Sequence, residues 1–556
     1  MSLAVLYGQH LDLSTTFAVI VLCAFITHMI FKYKEPYNPI PLAGMLLVAL
    51  PSALSVLFLR HVCWIFAIPL AFFSFHFILA ISIVVYRLSP FHPLASYPGP
   101  IPCKISKLWM YLQAKDGKQY LYIRELHKRH CSDIIRIGPN EVSIIEPEAM
   151  IDILGNGGVP KGLVTTARNL FPDHPTNLLN TINPEEHLKR RKPWARAFSS
   201  TALKDHETKI SKRCSQLADR LAETSGKLNL THWIHLWSYD TMSDITYSGG
   251  SEMLRHGDPE GTLEMIYMST RCGMIFEHMN WTAWFGRQMR SVQHRVGRFR
   301  LNAMRRAAAR IAEETKTKDL YYYLRNEDIG KELRPAADVI PESVLATLAG
   351  TDTVSTASLA VFYLVLNHPD VYRRLQSEVD TFYPAGSDST DPKCHKAMPF
   401  LEAVIHETLR LHPSTPSGSL RTITDDMSGR SIGTRYIPSG TSIRFHNYSV
   451  LRDHRNFSPC PDEFWPDRWL VANGQLPSPT KSFRHNMAMF IPFSYGPANC
   501  VGKNLALTEL RILVCTMLQR FNMRFAADWD PSEWERNLDE HFALQSGDLF
   551  IEVECR

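Results

Sequence analysis

The chain has little net charge for its length. Across 556 residues, 60 Lys and Arg stand against 55 Asp and Glu, which leaves +5 with histidine neutral. A nucleic-acid binder needs a strong basic patch, so no nucleic-acid partner is expected. Paired cysteines are also missing. The eleven cysteines are scattered and never stand at Cys-x-x-Cys spacing, which removes the usual zinc sites and the small secreted disulfide framework. A reducing, cytosol-facing domain fits that usage. Four Asn-x-Ser/Thr sequons, at Asn229, Asn280, Asn447 and Asn456, point the other way and would matter only in a lumenal domain. There is no Gly-x-Gly-x-x-Gly fingerprint, no flavin module and no 20–50-residue repeat. With 45% hydrophobic and 21% charged residues, a large core is possible and global disorder is excluded.

Charge is scarcest at the start. Residues 15–31 hold no acid, Lys or Arg; residues 42–59 are apolar but carry Pro51; residues 62–86 are apolar and aromatic, with Pro69 inside. Each approaches or exceeds the roughly 20 residues needed to cross a bilayer. Lys32 and Lys34 follow the first run and Arg87 follows the third. By the positive-inside rule those points face the cytosol and the N-terminus is lumenal. Residues 1–87 are therefore expected to form a membrane anchor of three transmembrane helices. One true anchor, with the other two runs lying in the interface or forming a hairpin, is the alternative. A cleaved signal peptide lacks support, because there is no basic n-region and one apolar core would not explain three runs. Residues 88–104 are dense in proline and predict a stiff, extended hinge.

From residue 105 to 556 the pattern is mixed. Residues 120–130 have helical spacing. Residues 134–138 and 142–145 are short β-type runs around Pro139-Asn140-Glu141, a hairpin signal. Residues 165–181 read as a loop. Beyond Glu146 the chain reads mostly helical, so the expectation is a mainly α domain with a minor β portion.

Four stretches carry chemistry. In Phe493-Ser494-Tyr495-Gly496-Pro497-Ala498-Asn499-Cys500-Val501-Gly502 a cysteine lies between glycines, just before an apolar helical run. A helix N-terminus and nearby amide N–H groups favour the thiolate, the form that binds metal. Gly496 and Gly502 would let backbone approach a flat cofactor, and Phe493 would cover the cysteine side. The bland alternative is a buried structural cysteine. A second stretch, Ala349-Gly350-Thr351-Asp352-Thr353, sits inside a long apolar helical run. Hydroxyls bonding carbonyls one turn back, with Gly350 removing bulk, would make a small polar notch there. A third, Glu407-Thr408-Leu409-Arg410, puts opposite charges three apart on one helix face. In the fourth, His187 and Arg191 share a face at i,i+4 within a basic run. Residues 262–285, rich in Met and aromatics, suit an irregular apolar pocket or ordinary core.

These stretches, in this order, resemble the signatures of the cytochrome P-450 superfamily, fungal microsomal type. The cysteine loop is similar to the heme-binding signature, with Cys500 as axial iron ligand. Thr353 and Asp352 match its proton-delivering threonine and acidic neighbour. Glu407, Arg410 and Arg468 (in Phe464-Trp465-Pro466-Asp467-Arg468-Trp469) match its structural triad. His187, Arg191 and Arg421 match propionate contacts. Ala498 departs from the pattern, since the family usually has Arg or His there. The resemblance implies the cytochrome P-450 fold and a heme b cofactor. It also implies oxygen insertion from O2 into a lipophilic substrate, such as a terpenoid or other secondary metabolite. Electrons would come from NADPH-cytochrome P-450 reductase, with cytochrome b5 as a second partner, at the endoplasmic reticulum membrane with the catalytic domain in the cytosol. A reductase-docking face drawn from Arg190, Arg191, Lys192 and Lys503 is expected. The alternatives are a non-oxidative heme-thiolate isomerase or dehydratase, and a non-enzymatic heme-binding membrane protein.

Overall fold

The computed structural model describes residues 12–33, 39–162, 175–224, 226–279, 282–312, 317–330, 332–424 and 428–556. Most of the loop expected at 165–181, the sequon at Asn280 and Trp281 of the aromatic-rich stretch lie outside them. The chain forms two compact units: residues 1–107 with 136–140, and residues 108–135 with 141–556.

The first unit is helical. Helix α1 spans Leu13–Tyr33, α2 spans Leu50–Phe58 and α3 spans Trp64–Leu88. Small residues let them pack closely: Ala24, Ala67 and Ala71 are fully buried beside Ile20, Phe58 and Phe75. The middle run is not one regular helix. A short helix, Pro39–Ala43, passes into a π-helical turn, Gly44–Ala49, before α2. Proline supplies the cause. Pro51 has no N–H for the carbonyl one turn back, so the ladder widens ahead of it and Leu50 N–H bonds Met45 O. Pro69 is accommodated inside α3.

The expected hinge is not extended. Residues 89–97 turn repeatedly, with Ala95 N–H donating to His92 O (2.9 Å) and His92 N–H to Ser89 O (3.2 Å). Arg136 pins this segment. Its backbone N–H donates to Pro98 O (2.7 Å), and its guanidinium reaches Arg87 O, Pro139 O and the His92 ring. Proline density predicts stiffness, but the compaction comes from a distant arginine.

In the second unit the helices that matter are α4 (Gln119–His130), α5 (Pro184–Ala197), α6 (Ser200–Ala222), α7 (Leu230–Tyr247), α8 (Thr262–His278), α9 (Ala336–Asn367), α10 (Pro399–Leu411), α11 (Asp467–Ala472) and α12 (Lys503–Arg520). One large apolar core joins α6, α7, α9, α10 and α12. Helix α9 starts at Ala336 and holds Pro341 within its first turns. It is long and apolar enough to cross a membrane, but 78% of its most apolar window is buried in protein, against 22–28% for the three N-terminal apolar segments, which are also the more apolar by composition.

The β portion is small. Strands β1 (Ile134–Gly138) and β2 (Glu141–Ile144) lie where the hairpin signal puts them. β2 runs parallel to β4 (Ser442–Phe445), which pairs antiparallel with β3 (Leu420–Thr422) and sets Arg421 opposite Ile443. Near the C-terminus β5 (Asp539–His541) and β6 (Ala543–Gln545) form a hairpin. It reaches α9 and α10: Thr356 Oγ1 donates to Leu544 O (2.6 Å), and Leu544 N–H to Ser414 O (2.8 Å), just past α10.

Candidate active site

The cysteine loop is a tight turn ahead of α12. Cys500 N–H donates to Phe493 O (2.9 Å), and Asn499 N–H to Gly496 O (3.1 Å). Gly496 has φ +72°, and a Cβ there would meet Leu154 O at 2.0 Å. This glycine is therefore required by the turn and by the neighbouring chain. Gly502 caps α12, and a Cβ on it would lie 3.9 Å from Cys500 Sγ. The Cys500 side chain keeps free surface although protein atoms surround it. Burial pushes its thiol up. The Gly502 amide, Arg191 and Lys503 pull it back only in part. A metal cation bound at Cys500 would favour the thiolate further.

Around this loop the structure gathers buried cations. Helix α5 is capped by Asn183, whose side chain accepts the Glu185 and Glu186 N–H groups. It presents buried His187 and half-buried Arg191. Arg191 donates to Asn499 O (2.7 Å) and to the Asn499 side chain. Arg421, on β3, is buried with its Nε unpartnered. Burial lowers Arg421 to about 10. Burial, then Lys161, Arg191 and Arg421, lower His187 to about 4. Lys161, Arg191 and Arg421 all act on His187, and a cluster of that sign is suited to anions. The His187, Arg191 and Arg421 trio is brought together with a fourth group, Lys161, that the sequence did not signal. Lys161 lies in an unpatterned loop, and only its bridge to Arg421 places it here.

Among the described residues no group of three or more His, Cys, Asp and Glu is arranged to hold a metal ion. A metal bound through Cys500 must then bring its other donors with it. One sulfur ligand, buried cations and an unsatisfied Arg421 Nε fit a metal carried in an anionic macrocycle such as heme.

Helix α9 packs directly on α12 and carries the second set. It is continuous despite its polar residues, because hydroxyls bond back into it: Thr347 to Ser343 O (3.1 Å), Thr353 to Ala349 O (2.6 Å) and Ser355 to Thr351 O (2.7 Å). Gly350 serves packing, since a Cβ there would lie 2.3 Å from Met242 Sδ of α7. Its missing bulk is taken up by that methionine. Asp352 is buried, its Oδ1 has no partner among the described residues, and burial raises it from 3.8 to about 7. Burial, then the Asp352 charge, push up the hydroxyl of Tyr267 on α8.

Glu407, Arg410 and Arg468 are fully buried and mutually bonded. Arg410 clasps Glu407 through Nε (2.9 Å) and Nη2 (2.8 Å), and Arg468 Nε donates to Glu407 Oε1 (2.8 Å). The sequence did not signal the rest. Trp465 N–H and Trp469 Nε1 also donate to Glu407 (both 3.0 Å), and the two guanidiniums take the carbonyls of Leu451, Pro461, Glu463, Pro459 and Cys460. Burial works to raise Glu407, but Arg410 and Arg468 outweigh it and hold the carboxyl low. Removing one member of such a set typically costs about 3–5 kcal/mol.

A lone sulfur ligand set among buried cations on a mainly helical core defines a heme-thiolate type of protein. Residues 96–551 match the family described as Cytochrome P450, and the chain belongs to that family. Cytochrome P450 67 of Uromyces fabae is 31% identical over 545 residues, covering 94% of this chain and 96% of that protein. Cytochrome P450 monooxygenase FCK2 of Fusarium pseudograminearum is 29% identical over 479 residues, covering 85% and 84%. Tryprostatin B 6-hydroxylase of Aspergillus fumigatus is 29% identical over 482 residues, covering 83% and 81%. Among solved structures, a zebra fish cytochrome P450 with abiraterone superposes with TM-score 0.62 at 19% identity, covering 79% of this chain and 99% of its own. That likeness concerns the fold. The expected family, fold and enzyme class therefore hold: this is a cytochrome P450 monooxygenase, and such enzymes hold heme iron through a cysteine thiolate.

Proposed function

We propose that the chain is a membrane-anchored monooxygenase that inserts one oxygen atom from O2 into a lipophilic small molecule, on heme b held through Cys500. When bound, thiolate-ligated heme supplies O2 activation and oxidation of a C–H bond. The protein's own residues do the rest. His187, Arg191 and Arg421 hold the heme carboxylates. Thr353 holds a proton at Oγ1, lent for now to Ala349 O. Asp352 exchanges protons near neutrality, as a proton relay at physiological pH requires. The apolar and aromatic side chains of α8 exclude water from the substrate.

Asp352 carries this reading. A buried acid with an unpartnered oxygen beside a threonine hydroxyl is expensive in a core helix. Neither a heme carrier nor a non-oxidative isomerase has use for it. For electron supply by NADPH-cytochrome P-450 reductase or cytochrome b5, the docking cations reduce to exposed Lys192 and Lys503. Arg190 is committed to Glu186 and Glu342, and Arg191 to Asn499. The endoplasmic reticulum membrane, crossed three times, suits the N-terminal helices. A terpenoid substrate gains no support from the relatives, one of which hydroxylates tryprostatin B, so the substrate class proposed is a lipophilic secondary metabolite.

The test is turnover of the full chain with reductase, NADPH, O2 and a metabolite panel. Thr353→Ala is expected to consume O2 with roughly 100-fold less product per O2, the lower end of what a positioned proton donor contributes. Unchanged coupling removes Thr353 from proton delivery. No oxidation of any panel member, by a chain that has taken up heme, favours the alternatives. Mass spectrometry of the acid-extracted pigment identifies heme b.

A further inference from the structure

Lys161 is a cation placed among cations. Its loop is held against β3 by the bridge to Arg421 and by Thr422 N–H donating to Pro160 O (3.0 Å). Its Nζ donates to Leu178 O (3.1 Å) and Leu179 O (2.9 Å). An ammonium has three donors, so one remains unused among the described residues. The acid that acts on it is Glu342, whose oxygens already accept Leu178 N–H (2.9 Å), Arg190 Nη1 (3.2 Å) and Trp194 Nε1 (3.3 Å). Burial, then Arg421 and Arg191, lower the Lys161 amine to about 7. Glu342 offsets this crowding only in part, and an anion among the four groups would offset more of it. The neighbouring cysteine loop, meanwhile, offers only the methyl group of Ala498 where a basic side chain is expected.

We propose that Lys161 anchors a heme carboxylate through its unused ammonium donor, taking over the charge that Ala498 does not provide. The inference rests on the heme-binding reading above and adds a residue to it. It also gives the loop around Pro160 a function, which is to carry the replacement cation in from β3.

Lys161→Gln removes the charge but keeps N–H donors for the Leu178 and Leu179 carbonyls. In the full chain, heme transfer to excess apomyoglobin is expected to speed up on the order of 10-fold for loss of one charge-assisted bond. The midpoint potential of the bound iron is expected to fall, because a nearby cation favours the reduced state. Ala498→Arg, added to Lys161→Gln, is expected to restore slow release. Two results overturn the proposal: wild-type release and potential in Lys161→Gln, or fast release that neither Ala498→Arg nor the charge-keeping Lys161→Arg repairs. The second result would mean that Lys161 only braces the carbonyls. A wild-type chain that takes up no heme overturns the heme reading itself, and this inference with it.

Discussion

Asp352 and Glu407 are both buried carboxyls on core helices, and their surroundings give them opposite characters. Glu407 is met by two guanidiniums, a backbone N–H and an indole N–H, and stays charged. Asp352 has no such partners, and burial alone raises it to about 7. The consequence for stability has a definite sign. Between the ordinary value of 3.8 and about 7, the folded chain holds a proton that the unfolded chain has lost. Asp352 therefore makes stability fall as pH rises through that window. Asp352→Asn is expected to flatten this part of the pH profile and to be relatively more stable than wild type above pH 7. Denaturant titrations of both proteins across the window check it, and parallel profiles would contradict it. The sequence showed the residue type at each position. It could not show that one carboxyl also meets Trp465 and Trp469 while the other meets no partner among the described residues, because those neighbours come from distant segments.

Helix α8 shows the same limit at the scale of an element. Its methionines and aromatics are legible as pocket or core, but what fixes the helix is polar. Glu277 pairs with buried Arg444 of β4, which also lies 3.7 Å from Glu141. His278 bonds Gln119 (2.7 Å), and Gln545 donates to Thr270 Oγ1 (2.7 Å). One ion pair and two hydrogen bonds tie this helix to the β portion, to α4 and to the C-terminal hairpin. Glu277→Gln weakens the hold on a buried guanidinium, a change worth about 3 kcal/mol where no other partner compensates. Amide exchange over residues 262–278 is expected to accelerate while exchange in α10 and α12 stays unchanged. Equal protection in α8 would show that apolar packing alone holds it. The hinge and the middle N-terminal run belong to the same lesson. Proline density is visible in the chain, but whether it yields an extended rod or a set of turns depends on Arg136, far along the sequence.

At the scale of the whole molecule, the three-span arrangement proposed above would put the N-terminus in the lumen and residues 88–556 in the cytosol. A glycosylation sequon fused ahead of Met1 is then expected to be modified in microsomes. Asn229, Asn280, Asn447 and Asn456 are expected to stay unmodified. Endoglycosidase-sensitive mass on the native chain, or none on the tagged one, would reject the three-span arrangement.

The sequence by itself determined the family, the cysteine loop, the triad pair on α10 and the apolar runs. These rest on local spacing, which a chain carries without folding. Tertiary structure decided which apolar helix is wrapped in protein, which acid stays neutral, that Gly496 and Gly350 serve a turn and a methionine, and that Lys161 joins the cations beside the cysteine loop. Burial and long-range pairing set all of these, and neither has a signature in neighbouring residues. The cysteine loop is a local motif, but the basic groups beside it come from α5, β3 and a loop that only the fold brings near.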